Sequence, residues 1–595
     1  MDARAKVCCE VSWEVCNKVG GIFTVVSSKA LRMVEHYKDG YFAIGPYFPQ
    51  KAMGTFEEKM PPDKLKAVFD GLRTEGIECH YGIWLVKGNP NAILIDFTNF
   101  ANNKDGIKKF LWDTYKIDSL GTDWYDFDEP VVWAWAAGKL VQRLAAMTDG
   151  ATVAQCHEWL AGSAILYLKA NNVRVGTVFT THATMLGRTL ASEGVLYDIL
   201  DSVNADEEAA RRGQGLKAKH QLEKASAQNA EVFTTVSEIT GMEAEKLLAR
   251  KPDVLLPNGL DMGRFPTFEE TSIRHKLMKG KIFDFLLAYF FPYYSFDLGE
   301  TLVFFLAGRY EFHDKGIDIF IKALGKLNDR LKAEKSDKTI VSFFWVPGNI
   351  RSIKPNLLES KTYYADLKES IADNIDEIEH NIIRALVSNR EITKELLFDE
   401  DLRDEVKRKT LRLRRKGKPP LVTHDLYGEN TDLILNTLLQ VGLDNDADDR
   451  VKVIYYPIYL TGADGLLDMS YYEAMQGSHL GVFPSYYEPW GYTPLEGGAL
   501  GVPSITTDLA GFGRFICKEC APAKNPGIWV LKRWQHSDDD VVEQLAETMH
   551  YYATLPKQDR IENKIAAREI ANMADWKQFI ERYIEAHNKA VERIG

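Results

Sequence analysis

Cysteine is scarce in this chain: seven residues among 595, at positions 8, 9, 16, 79, 156, 517 and 520. So sparse and odd a set is no disulfide framework, and the lone C-x-x-C of Cys517 and Cys520 lacks two further ligands at the spacing zinc needs. Long apolar runs are missing as well. The amino-terminal MDARAKVCCEVSW has no signal-peptide core, and the most apolar stretch, 282–296, is broken by Asp284 and Pro292. A membrane span needs about 18 apolar residues or more in a row, so the expectation is a cytoplasmic protein with no membrane partner. There is no basic excess either: 73 Lys and Arg face 85 Asp and Glu, a net charge of -12. Without surplus cations to neutralise phosphates, general nucleic-acid binding is excluded. A neutral polysaccharide, or a small anion held in a local basic pocket, stays open.

What is present is enough apolar residue, 45% of the chain, to fill two or more cores. Short apolar runs at 7–11, 41–44, 93–97, 152–156, 177–181 and 232–236 alternate with turn residues or helical periodicity, the rhythm of a doubly wound parallel sheet. A second unit opens with the continuous apolar run 301–306. Between residues 360 and 441 that rhythm stops. Leu367, Ile371, Ile375, Ile378, Ile382 and Leu386 fall on one stripe of a long helix, followed by a basic run, 403–418, whose simplest reading is a solvated helix face. The division read from this pattern is residues 1–260, residues 261–570 with a helical insertion at about 360–441, and a final helix over 571–595.

In parallel sheets ligands bind beyond the carboxyl ends of strands, so the residues just past each run are the candidates. After the first run stand Lys18, Gly20 and Gly21; later come His157 and Glu158, then His182 and Arg188, then Arg309 and Lys315. No histidine follows at 161, so His157-Glu158 is not a zinc-protease helix. The densest stretch is 479–513. There an apolar run breaks into an aromatic turn holding Glu488, Trp490, Gly491 and Tyr492, and Thr493, Pro494 and Glu496 read as N-cap, N1 and N3 of a helix. A capping box explains Glu496 without any substrate; Glu488 has no partner in the local sequence. Asp126 and Asp128 match a D-x-D, but in an aromatic, proline-containing loop, and no metal is expected.

E-P-W-G-Y-T-P-x-E, K-V-G-G, H-E-W-L-A-G, T-T-H-A-T-x-L-G-R and G-R-Y-E-F-x-x-K-G, running in order from about Glu10 to Trp576, resemble the glycogen synthases of animals and fungi. The resemblance implies an α/β GT-B architecture, two Rossmann-like domains with a cleft between them. It also implies a retaining transferase moving glucose from UDP-glucose to the 4-hydroxyl of glycogen, without a cofactor or metal. By resemblance the donor is held by Lys18, Gly20, Gly21, His182, Arg188, Arg309, Lys315, Glu488, Trp490, Gly491, Tyr492, Thr493 and Glu496. Catalysis would fall to His182, Arg188, Arg309, Lys315 and Glu488, and closure of the cleft is expected to bring Lys18 and Arg188 to the diphosphate held by Arg309 and Lys315. Glucose 6-phosphate as activator would meet His275, Lys279, His479, Arg560 and Lys564. A homotetramer joined through the inserted helices and a glycogenin-like primer protein complete the implied partners.

The chain departs from the family where Gln558, Ala566 and Glu569 replace expected arginines. Weakened activation and no control by tail phosphorylation are therefore expected. Rival readings are a GT-B enzyme making a disaccharide and an inactive sugar-nucleotide-binding scaffold. UDP-glucose and ADP-glucose are not separable at this level.

Overall fold

The computed structural model describes residues 1–517 and 524–595, so the C-x-x-C pair lies partly outside the described residues. The apolar runs are strands. The first sheet is built from β1 (Val7–Val11), β2 (Tyr41–Pro46), β3 (Phe56–Glu58), β4 (Glu78–Trp84), β5 (Asn91–Asp96), β6 (Thr152–His157), β7 (Gly176–Thr181), β8 (Val232–Thr235) and β9 (Val254–Leu255). Their order is β3-β4-β5-β2-β1-β6-β7-β8-β9. All neighbours are parallel except β3 with β4 and β4 with β5. The hydrophobic strands β6 and β7 are buried on both faces, as strands fed by crossover helices must be.

After the long helix Phe268–Tyr289 come β10 (Thr301–Ala307), β11 (Thr339–Trp345), β12 (Ile350–Ile353), β13 (His424–Leu426), β14 (Val451–Tyr455), β15 (Leu480–Val482), β16 (Ser504–Thr507) and β17 (Ile528–Leu531). Six of these form a parallel sheet in the order β14-β11-β10-β15-β16-β17, and β12 pairs with β13 as an antiparallel ribbon.

The helices between β12 and β13 differ from the single long helix expected from the stripe at 367–386. The chain breaks at Asn374, between helices Pro355–Asp373 and Ile375–Val387, and the Asn374 side chain donates to the Ser370 carbonyl. Asparagine competes for backbone hydrogen bonds in this way and favours helix ends. Part of the basic run is paired within the chain: Lys409 with Asp366 and Glu405, Arg415 with Glu359, and Lys418 with Asp444 and Asp446.

Helix Trp576–Arg593 returns to the first sheet. Trp576 is buried there, its Nε1 donating to Ser28 Oγ at 2.7 Å, and Arg593 binds Asp253 at 2.7 Å. No described helix is long and apolar enough to cross a membrane.

Candidate active site

Strand order reverses at β1/β6 in the first sheet and at β10/β15 in the second, and loops that leave neighbouring strands in opposite directions open a crevice at such points. The two crevices face one another across a cavity of about 610 Å³. The first lobe contributes Glu14, Gly20, Gly21, Glu158, His182 and Arg188; the second contributes Arg309, Glu311, Asp314, Lys315 and the run Tyr487–Tyr492. Ten of the expected donor-site residues thus share one cavity. Lys18, Thr493 and Glu496 do not line it.

The loop bearing Glu488 is fixed by its backbone. Tyr486 and Tyr487 N–H groups both bind the Asp314 carbonyl, while Gly511 and Phe512 N–H groups bind the carbonyls of Glu488 and Trp490. A side chain at 511 would place Cβ 2.2 Å from the Pro489 carbonyl oxygen, so glycine is what lets the two segments meet. Glu488, for which the sequence offered no partner, has one at long range: Lys315 Nζ lies 2.6 Å from its carboxylate. Arg309 reaches Glu311 at 2.8 Å and stays 61% exposed at the cavity wall.

The capping box expected at Thr493 does not form. The helix is Tyr492–Ala499, with Gly491 at N-cap in a left-handed conformation (φ 106°) and no side-chain cap. Glu496 turns inward instead, accepting from Tyr472 at 2.7 Å and Tyr471 at 3.2 Å. Burial pushes its carboxyl up to about 7, against the pull of the two tyrosine hydroxyls.

The glycine loop after β1 is held from within the first lobe. The Glu14 carboxylate already accepts the N–H groups of Gly20 at 2.7 Å and Phe23 at 2.9 Å, at the start of helix Gly21–Tyr37. Lys18 is exposed, with Nζ 5.9 Å from the Phe23 ring.

Of three further buried carboxylates, Glu158 stands just past β6 where the sequence placed it, and Glu223 and Glu243 were not found from the sequence. Glu158 accepts from the N–H of His182 and Ala183, Glu243 from that of Thr184, and Glu223 from that of Met185. Four consecutive N–H groups at the head of helix Met185–Ser192 are thereby satisfied, which fixes the loop that carries His182 and the start of the helix that carries Arg188. Glu243 also accepts from Tyr487 Oη at 3.1 Å, a bond between the lobes beside Glu488. Burial raises Glu158 and Glu243 to about 7 each, opposed by Arg188 and those donors. Burial works against the Arg188 charge, but Tyr487, Glu158, Glu311 and Glu243 together raise its pKa.

Asp126 and Asp128 do not converge on a metal position: Asp126 pairs with Lys219, and Asp128 with Lys108 at 2.9 Å. The described residues do bring ligand atoms of His313, Asp318 and Asp538 within 4.8 Å of one another, and Arg533 binds Asp538 at 3.0 Å.

A second set of expected residues gathers behind β15. The His275 and His479 rings stack edge to face at 5.3 Å, His275 Nδ1 donates to the Gln476 carbonyl, and His479 Nδ1 accepts from Val303 N–H. Lys279, Arg560 and Lys564 lie near enough to act on His479, with Arg560 Nη1 donating to the Leu555 carbonyl at 2.5 Å and Lys279 Nζ 5.3 Å from the Phe283 ring. Burial, then the nearby Lys279 and Arg560, push Lys564 down to about 7. Burial, then Lys564, brings His275 to about 3. Among the described residues, no carboxylate acts on either one.

The profile of the glycogen synthase family matches residues 10–595. The chain is 36% identical to the liver glycogen (starch) synthase of Homo sapiens over 589 residues, spanning 98% of this chain and 83% of that one. It is 38% identical to isoform 2 of glycogen (starch) synthase of Saccharomyces cerevisiae over 608 residues, covering 98% and 86%. Among solved structures, the catalytic domain of starch synthase IV from Arabidopsis thaliana, bound to ADP and acarbose, covers 100% of both chains at a TM-score of 0.51 and 12% identity, a likeness of fold. Two Rossmann-like lobes meeting over a shared cavity, with matches to these proteins along nearly the whole length, place the chain in the glycogen synthase family of GT-B glycosyltransferases.

Proposed function

We propose that this protein transfers glucose from UDP-glucose to the non-reducing 4-hydroxyl of an α-1,4-glucan, with retention at the anomeric carbon and without a divalent metal. The observation that carries this reading is the ion pair Lys315–Glu488 set in one cavity with Arg188 and Arg309. A diphosphate leaving group gathers negative charge as the glycosidic bond breaks, and fixed cations from both lobes stabilise that charge. When the diphosphate enters, Lys315 turns to it from Glu488. The freed carboxylate then faces the sugar, where it holds hydroxyls and offsets positive charge developing at the anomeric carbon. With Lys315 committed to UDP, the acceptor hydroxyl attacks on the face from which UDP leaves, and a phosphate oxygen takes its proton.

Glucose 6-phosphate is the proposed activator. Around His275 and His479, the cations Lys279, Arg560 and Lys564 are held close together, and among the described residues no counter-charge acts on His275, Lys279, His479 or Lys564, which favours a bound phosphate. Assembly through the inserted helices is supported by Ile375, Ile383, Leu386 and Val387, all more than half exposed on one short helix.

The test is glucose incorporation into glycogen from UDP-glucose and from ADP-glucose, each with and without glucose 6-phosphate. The expected result is precipitable polymer from UDP-glucose, made faster by the sugar phosphate. A soluble disaccharide product, or no transfer from either donor, would overturn the reading.

A further inference from the structure

Beneath the cleft a line of buried side chains leads from His182 into the first lobe. His182 Nε2 lies 3.0 Å from His157 Nδ1, and His157 Nε2 lies 2.8 Å from the Glu10 carboxylate. Glu10 is fully buried; it is ion-paired with Lys29, itself fully buried, and accepts from the Tyr41 hydroxyl. Lys29 in turn sits 4.2 Å from the centroid of the Tyr583 ring, on the returning last helix.

We propose that His157 and Glu10 are positioning residues that fix His182 as a hydrogen-bond acceptor toward the cleft, so that the group it receives there is a sugar hydroxyl and not an anion. The inference rests on the transferase reading above. Its logic is one of donors and acceptors. An ionised carboxylate can only accept, so the His157 proton sits on Nε2, facing Glu10. Neutral His157 is then bare at Nδ1, and His182 must carry its proton on Nε2 to bond with it. The other arrangement would set two lone pairs against each other at one of the two contacts. His182 Nδ1 is thus left bare, and among the described residues it has no hydrogen-bond partner. Neutrality of both rings follows from their surroundings. Burial lowers His157, with Lys29 adding to it and Glu10 opposing; burial, then His157 and Lys29, lowers His182 further. Burial alone would raise Glu10, but Lys29 and His157 outweigh it and keep the carboxyl well below its usual range.

A bare imidazole nitrogen accepts an O–H and repels an oxyanion. Arg188 is six residues beyond His182, on helix Met185–Ser192, so one short segment offers an acceptor for the sugar and a cation for the diphosphate. Side-chain identity at 157 therefore sets what the cleft presents, although His157 lies behind the cavity wall.

The experiment compares H157L, which removes the acceptor, with H157N, whose amide oxygen can stand near the place of Nδ1, using UDP-glucose and its singly deoxygenated analogues. Expected is a loss in kcat of roughly tenfold to a hundredfold in H157L with KM changed far less, and recovery of most of that loss in H157N. One deoxy donor should be poor for the unaltered protein relative to UDP-glucose, and the penalty should vanish in H157L. Equal losses in both variants, with every deoxy donor keeping its normal ratio, would reduce His157 to a packing residue and overturn the proposal. Nitrogen-15 spectra of the histidine-labelled, unaltered protein provide a readout without catalysis. A proton on His182 Nε2 supports the relay and one on Nδ1 overturns it, even if no sugar nucleotide is turned over and the transferase reading itself fails.

Discussion

The cleft and the cluster behind β15 are both rich in cations, yet they are built differently. In the cleft, cations have acidic neighbours: Lys315 with Glu488, Arg309 with Glu311, and Arg188 among Glu158, Glu243 and Tyr487. Behind β15, burial and then neighbouring cations lower three groups: Lys279 and Arg560 act on Lys564, Lys557 and Arg560 on Lys279, and Lys564 and Lys279 on His275. Paired charges can exchange partners during a reaction cycle at little cost, because each is compensated before and after. A crowd of like charges stores repulsion that an arriving anion releases, which suits a site that must change the protein when it fills.

The largest effect that would break this contrast lies in the cleft. E488Q keeps the shape and loses the charge, and kcat is expected to fall on the order of a hundredfold or more, measured as glucose transfer to glycogen. Near-normal turnover would show that the Lys315–Glu488 pair is structural.

A smaller effect sharpens the other side. Lys564 has a folded pKa of about 7, below the roughly 10.4 of an unfolded lysine. Its charge therefore destabilises the fold fully below pH 7, and the penalty is relieved as pH rises from 7 toward 10.4. K564M should raise Tm most at pH 6 and least near pH 10, while losing the response to glucose 6-phosphate. Lower stability of K564M at pH 6 would mean that a counter-charge is present after all.

The smallest effect concerns Glu496. Its folded pKa of about 7 lies above the usual carboxyl value, so stability from this group is present below about pH 4.5 and lost as pH rises through 7. The Tm of E496Q minus that of the unaltered protein should rise between pH 5 and 7.5; a flat difference would sink the assignment.

The residues just past apolar runs were legible because a doubly buried strand carries few charged residues and reads as a short run apart from its turns, and the two switch points put those residues in one cavity. Strands β3 and β4 were not legible. No residue of β3 is buried, β4 mixes buried with half-buried positions, and Glu57, Glu58 and Glu78 are exposed, so no apolar run marks them. Glu223 and Glu243 were missed for a different reason: both sit on helices, Gln214–Asn229 and Glu238–Leu247, where an acid normally reads as a solvated face. The signal available was position, since Glu223 adjoins Leu222, Ala225 and Ser226 on the buried stripe. The Thr493 capping box failed because helix-start spacing says nothing about two tyrosines some 20 residues upstream that compete for Glu496.

The return of helix Trp576–Arg593 has a consequence for biosynthesis. Lys29, Tyr37 and Gln155, all in early segments, find Tyr583 and His587 only in this helix. While the ribosome is still making the second lobe, the first sheet is unsealed along that flank. The buried Lys29–Glu10 pair gains its Tyr583 neighbour only when residues 576–593 emerge, so an order of assembly with the first lobe finished last is written into the chain's path.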